Sequence, residues 1–312
     1  MPTKPERWPT LPTNAWWDTH DTLLRWTQII GKTRMSLTPL VNHWWNSTLY
    51  VTPRGLTTAT MYSGDIALEI EFDFVSHLLH VRSSAAKTIR LPLRAQSVAD
   101  FYNDYVTALK EIGVPLHIVP IPNEVEDATP FPEDRTHAAY DPEYANRFWR
   151  ILLESDRVFN IFRARFVGKA SPSHFFWGGM DLAVTRFSGR TGPRYSGGGA
   201  PHCPDYVQIE GYSHELLSAG FWPGAPGMLD EPAYYAYAYP APTGFGDEKV
   251  KPPAAFYDPK MGEFFLPYEA VRTSSFPDEM ILDFLQSTYE AGAKLMNWDR
   301  ASLERSSPGP LK

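Results

Sequence analysis

Two stretches of this chain run through the same order of features about 131 residues apart, and that recurrence limits the folds open to it more than any other property. The first opens at Asp18-Thr19-His20-Asp21, where Asp18 reads as an N-cap, and carries Leu23, Trp26 and Ile30 on one helical face before Gly31. Pro39, the aromatic run His43-Trp44-Trp45 and a β-prone Leu49-Tyr50-Val51-Thr52 follow. The second opens at Asp141-Pro142-Glu143, aspartate as N-cap and proline at N1, with Phe148, Leu152, Phe159, Phe162 and Phe166 on one face before Gly168. Pro172, His174-Phe175-Phe176 and Asp181-Leu182-Ala183-Val184-Thr185 then repeat the pattern.

The correspondence resumes at a larger offset. Leu91-Pro92-Leu93 matches Leu266-Pro267-Tyr268 at the end of an apolar strand, and Ser97 with Asp100 matches Ser275 with Asp278 as serine N-caps with an acid three residues on. Between these anchors, strands are expected at 68–74, 78–82 and 87–93, and again at 234–239, 254–257 and 263–268. The alternation Glu69-Ile70-Glu71-Phe72-Asp73-Phe74 implies one buried and one wet face. The fold class that follows is α+β, a duplicated unit of antiparallel meander sheet flanked by helices with pseudo-twofold symmetry. Its organisation would be an N-terminal arm 1–17, a first repeat 18–119, a linker 120–142 rich in proline and acid, a second repeat 143–298 and a tail 299–312. The offset grows from 131 to 175, so the second repeat carries about 44 further residues, assigned to a long loop insertion at 187–233. A long irregular insertion is usually functional or disordered, and Tyr206, Tyr212, Phe221 and Trp222 give this one rings to bury. It is expected to cover an aromatic cavity, with Gly197–Gly199 as its most mobile point and His214 beneath it.

Composition closes several function classes. The formal net charge is -7 and no Lys/Arg run stands out, so the basic footprint of a nucleic-acid partner is missing. No apolar stretch approaches the ~20 residues that span a bilayer, so no membrane partner is expected. The start lacks an apolar signal core and Cys203 is the one cysteine, which together point to a cytoplasmic protein without an internal disulfide. Aromatic residues make up 14% of the chain, enough to build a large core, an aromatic ligand pocket, or both.

Familiar catalytic motifs fail on spacing. Gly31-Lys32-Thr33 lacks the earlier P-loop glycine, Trp26 standing in its place. It reads better as a helix C-terminus followed by a dipole-complementing lysine. Gly211-Tyr212-Ser213-His214-Glu215 ends in glutamate where a nucleophile elbow needs glycine. The best constellation by residue type is His174, His214 and Glu215, a two-histidine, one-carboxylate set for a divalent metal or for general-base catalysis. Adjacent His214 and Glu215 could share a metal only from a loop. His43 and His174, at equivalent points of the repeats, either face each other across the cleft between units or satisfy loop carbonyls. Arg54 and Arg186 follow corresponding strands and seek either intrachain acids or an anionic ligand. With Trp44, Trp177 and Trp222 these residues form the expected ligand-binding set.

Taken together, Trp26-Thr27-Gln28, Asn42-His43-Trp44-Trp45, Arg54-Gly55-Leu56-Thr57-Thr58, His174-Phe175-Phe176-Trp177-Gly178, Thr185-Arg186-Phe187-Ser188-Gly189-Arg190, Tyr212-Ser213-His214-Glu215 and Tyr235-Ala236-Tyr237-Ala238-Tyr239-Pro240 resemble the bacterial family of unknown function DUF5996 over nearly the whole chain. The resemblance implies one architecture and no particular reaction. Tyr195-Ser196-Gly197-Gly198 stands where relatives carry His-Pro-Gly-Gly, which argues against a ligand role for that loop. Three functions stay open: an enzyme acting on a small anionic organic molecule through histidine or metal chemistry, a non-catalytic small-molecule binding protein, and a structural or interaction protein whose aromatics are core.

Overall fold

Residues 6–305 are described by a computed structural model; residues 1–5 of the expected arm and 306–312 of the expected tail lie outside them. The fold is α+β, with seven helices and two antiparallel six-stranded sheets among the described residues. Helix α1 spans Thr13–Leu37 and is followed by a 3-10 turn at Asn42–Trp44. Strands β1 (Tyr50–Val51), β2 (Gly55–Thr57), β3 (Met61–Ser63), β4 (Ile66–Asp73), β5 (Leu78–Ser83) and β6 (Thr88–Pro92) then form the first sheet, ordered β1-β2-β4-β5-β6 with β3 paired to β4. Helix α2 (Val98–Glu111) closes the first half and α3 (Pro142–Ala164) opens the second, with no helix or strand between. The second half continues with β7 (His174–Phe176), β8 (Asp181–Thr191), α4 (Asp205–Gly211), β9 (His214–Trp222), β10 (Ala233–Tyr239), β11 (Phe256–Asp258), β12 (Glu263–Pro267), α5 (Tyr268–Arg272), α6 (Pro277–Leu295) and α7 (Arg300–Leu303). Its sheet runs β11-β12-β10-β9-β8-β7. No helix is long and apolar enough to cross a membrane.

Local chemistry explains most boundaries. Asp141 Oδ1 accepts from the backbone N–H groups of Glu143 and Tyr144 at 2.8 and 3.2 Å, and Pro142 sits at N1. Ser97 Oγ accepts from Asp100 N at 3.1 Å and donates to the Asp100 carboxylate at 2.7 Å. On β4 Leu68, Ile70 and Phe72 are buried as expected, but the other face is not wet: Glu71 and Asp73 are buried too, and Glu69 and Glu71 accept from Arg82 of β5.

Four further expectations are corrected. Asp18 is no cap: α1 begins five residues earlier, after Pro12, because Thr13 to Trp17 continue its helical face into the core through Trp16. Gly31 likewise sits inside α1. Ser275 does not cap α6, since Pro277 at N1 fixes the start and leaves Phe276 as N-cap. The expected loop 187–233 contains a strand central to the second sheet: β9 pairs with β8 on one side and β10 on the other. Both faces of β9 are largely covered, so its sequence, HELLSAGFW, shows little of the alternation of a half-wet strand. Outside the sheet the segment reduces to residues 192–213, which carry α4, and 223–232 between β9 and β10.

A backbone bridge joins the two sheets. Leu49 and Phe175 exchange both backbone hydrogen bonds, at 3.0 and 2.9 Å, joining the edge of one sheet to the edge of the other. Helix α1 runs through the middle of the molecule with Trp16, Leu23, Trp26, Ile29 and Ile30 all buried, packing on α2 and α3.

Candidate functional site

The second sheet buries its two faces differently, and the strand period decides which residue meets what. On β8, Leu182, Val184 and Arg186 point to the side covered by α3 and α6, whereas Asp181, Ala183, Thr185 and Phe187 point to the other. Ser218 of β9 and Tyr235 and Tyr237 of β10 share that second side, in register with Thr185 and Gly220. Opposite them stand Lys32, Met35 and Ser36 of α1 with His43, Trp44 and Trp45 after it. The linker adds His117 to Glu124, and α4 with the residues before it closes the remaining side through Cys203, Tyr206 and Gln208. Together they enclose a cavity of about 750 Å³, within the range of small-molecule sites.

The walls fit together through specific contacts. Trp177 donates from Nε1 to Ser47 O at 2.8 Å and lies flat on α1, where a Cβ at position 31 would come within 2.1 Å of that nitrogen; Gly31 exists to let the indole in. Gly220 plays the same part on the sheet, since a Cβ there would meet the Tyr235 hydroxyl at 2.6 Å. The open space lets Tyr235 lie across β9 and donate to Asp181 Oδ2 at 2.5 Å. The linker is clamped to α1 by Gln28, which donates to Asn123 O and accepts from Asn123 N, both at 2.8 Å. Helix α4 is held over the cavity by Trp44 against Tyr206, ring centroids 5.6 Å apart, and by His43 Nδ1 donating to Gly211 O at 3.0 Å.

Of the ionisable groups in and beside this cavity that depart from their ordinary behaviour, three are moved to between about 7 and 8. Burial raises the Asp181 carboxyl to about 7, opposed by the hydrogen bond from Tyr235 and reinforced by the charge of Glu124. Neighbouring Glu263 on β12 is also raised to about 7, by burial and then by Asp181. Lys32 is lowered to about 8, again by burial. Its ammonium donates to Asn123 Oδ1 and lies 5.7 Å from the Trp177 ring centroid. A carboxyl and an amine that both titrate near neutrality can exchange protons with a bound molecule at physiological pH. Two wall atoms, Trp44 Nε1 and Gln208 Oε1, are buried without a hydrogen-bond partner among the described residues.

The residues expected from sequence are divided by this geometry. Trp44, Trp177 and His43 line the cavity. His43 and His174 do not face each other: Trp45 lies between them, its ring centroid 5.2 Å from one and 5.4 Å from the other. His43 sits in the 3-10 turn and His174 on β7, so the two are not equivalent in local structure either. His174 is 1% exposed, packed against Trp45, Tyr50 and Phe176, and burial holds its pKa down to about 3. His214 lies against the His43 ring at 5.6 Å and contacts Ser213 Oγ. Glu215 points to the other side of β9 and accepts from Arg190 at 2.6 Å and Ser188 at 2.9 Å. The set His174, His214 and Glu215 is therefore not assembled, and no group of three or more potential ligands for a metal occurs among the described residues.

Both arginines find partners within the chain. Arg54 pairs with Asp73 at 2.7 Å and Ser76 at 2.6 Å on the first sheet. Arg186, on the helix-covered side, stacks 3.4 Å from the Phe162 ring centroid and 4.4 Å from that of Tyr289, and donates to Phe162 O at 2.5 Å. Trp222 packs beside Ala233, Tyr235 and Phe265 on the cavity side of the sheet, beyond the cavity itself. Asp181, Tyr235, Asn123 and Glu124 were not singled out as site residues by sequence, and Lys32 was read only as a dipole-complementing lysine past a helix end, whereas it lies inside α1. The signals were an acid opening an apolar strand, tyrosines alternating with alanine on β10, and a lysine after a glycine inside a helix.

No curated protein and no solved structure matches this chain. A family model matches residues 8–305, nearly the whole described length, so the chain belongs to the family of unknown function DUF5996.

Proposed function

We propose that this protein binds a small organic molecule between α1 and the second sheet and acts on it by acid–base chemistry, with Asp181 as the proton-transferring group. The observation that carries the reading is Asp181 itself: a carboxyl opening onto a 750 Å³ aromatic cavity, held by the Tyr235 hydroxyl at 2.5 Å and titrating at about 7. Such a group is half-ionised at neutral pH, where a general base works best. The indoles of Trp44, Trp45 and Trp177 take the apolar body of the ligand, and an anionic substituent would meet Lys32 in place of the expected Arg186. The supporting residues come from both halves of the chain, 18–119 and 143–298. We read these as copies of one unit, a reading supported by the reciprocal Leu49 and Phe175 pair and by the shared helix, sheet, helix order.

Ligand-observed NMR against a library of small organic acids, amides and carbonyl compounds tests the proposal, followed by turnover assays on the hits between pH 5 and 9. Turnover should rise through about pH 7 as Asp181 loses its proton and should vanish in Asp181→Asn. Hits whose binding and turnover are indifferent to Asp181→Asn would remove Asp181 from the site.

A further inference from the structure

Lys32 is one of three buried cations among the described residues, with Arg34 and Arg186, that form no ion pair, and of the three it alone lines the cavity. The residue is 4% exposed. Its ammonium donates to the Asn123 amide oxygen, lies over the Trp177 ring, and forms no ion pair within 4.0 Å among the described residues. Arg25, also buried on α1, is paired instead, with Asp134 3.2 Å away and Asp21 beside it. A lysine on a flexible stem that is desolvated, faces an aromatic cavity and is held by a neutral amide is in the setting that makes an amine nucleophilic. Glu124, the neighbour of Asn123, lines the same cavity, and its charge acts on both Lys32 and Asp181.

We propose that Lys32 is a nucleophile for carbonyl compounds, forming an imine with an aldehyde or ketone that enters the cavity. This deepens the function proposed above and rests on it for the access of a small organic molecule to that cavity. In the first step the ammonium gives a proton to a carboxylate, and the freed Nζ lone pair attacks the carbonyl carbon. A C–N bond forms as the C=O π bond breaks, and the carbonyl oxygen takes up the proton that Nζ then loses, to give the neutral carbinolamine. The carboxylic acid then protonates the hydroxyl, which leaves as water while the nitrogen lone pair forms C=N. One carbonyl compound and one ammonium thus give one protonated imine and one water, with no oxidant or reductant. Glu124 and Asp181, which line the same cavity, are the carboxyls for the proton transfers, each by way of a water molecule because neither lies within 4.0 Å of Nζ. The lowering of Lys32 to about 8 is consistent with this, since it leaves a much larger share of free amine at neutral pH than an exposed lysine keeps.

The test uses the full chain with 4-hydroxybenzaldehyde and pyruvate as probes, reduced in situ with sodium borohydride and mapped by peptide mass spectrometry. The proposal predicts an adduct at Lys32 forming at least about ten-fold faster than at exposed lysines such as Lys87, Lys110 and Lys260, in line with its larger free-amine fraction. Lys32→Met, which keeps the stem's apolar contacts, should lose that adduct while still binding the probe by saturation-transfer NMR. Probe binding to the wild type that Ser36→Trp blocks, with labelling spread over exposed lysines and none at Lys32, would overturn the imine and leave the cavity reading standing. Absence of both probe binding and a Lys32 adduct would overturn the two together.

Discussion

Replacing Asp181 with asparagine should make the protein more stable, and only at higher pH. In the unfolded chain this carboxyl ionises near 3.8, whereas in the fold burial holds its proton until about pH 7. Between those values the folded state binds more protons than the unfolded one, so the contribution of Asp181 is fully favourable below about pH 4 and is lost as pH rises through 7. A displacement of about three pH units corresponds to about 4 kcal/mol, and the opening of Asp181 onto the cavity, where water screens the charge, brings the expected figure to about 2 kcal/mol. Asparagine keeps the shape, can still accept from Tyr235, and never carries the charge. It also removes the repulsion that helps raise Glu263, which adds in the same direction. Urea denaturation at pH 4 and pH 8 is the assay: Asp181→Asn should be near wild type at pH 4 and gain about 2 kcal/mol at pH 8. An equal difference at both pH values, or a loss that grows with pH, would refute the burial argument and with it the role assigned to this carboxyl.

Three further outcomes follow from the packing. Gly31→Ala should destabilise by about 1–2 kcal/mol in chemical denaturation and shift the tryptophan emission, because the added methyl occupies the place of the Trp177 indole; the gain of up to ~1 kcal/mol usual for this change in a helix would contradict it. Arg186→Ala should cost about 2–4 kcal/mol by opening a void among Phe162, Phe166 and Tyr289 yet leave binding in the cavity unchanged, and loss of binding at unchanged stability would return Arg186 to the site. His43→Ala removes the hydrogen bond to Gly211, worth about 1 kcal/mol, so amide exchange across Asp205–Gly211 should quicken about five-fold; unaltered exchange would mean α4 is fixed by other contacts.

What the sequence carried plainly was local. The Asp141 and Ser97 caps, the alternating strand β4 and the strands at 78–83, 88–92 and 233–239 all rest on near-neighbour chemistry that any window of ten residues displays. Gly31 misled because a helix interior rarely tolerates glycine without cause, and the cause, Trp177, lies 146 residues away along the chain. Strand β9 was hidden because both of its faces are covered, which erases the period-two signal. The histidines drew attention by their chemistry, but His174 was core. The groups that meet in the cavity are an aspartate, a tyrosine, a lysine and an asparagine from four distant segments, each ordinary in its own neighbourhood. Only the fold places Lys32 of α1 and Asp181 of β8 around one space, and no spacing rule joins them.

Everything proposed for Asp181 and Lys32 requires that the space between α1 and the second sheet hold a small organic molecule. Ligand-observed NMR on the wild type and on Ser36→Trp tests this, because position 36 lines the cavity from the exposed side of α1 and an indole there projects into it from outside the core. Ligands bound by the wild type should be lost in Ser36→Trp while the variant's thermal unfolding stays within a few degrees of the wild type. Ligands bound equally by both proteins would place the binding site elsewhere on the molecule.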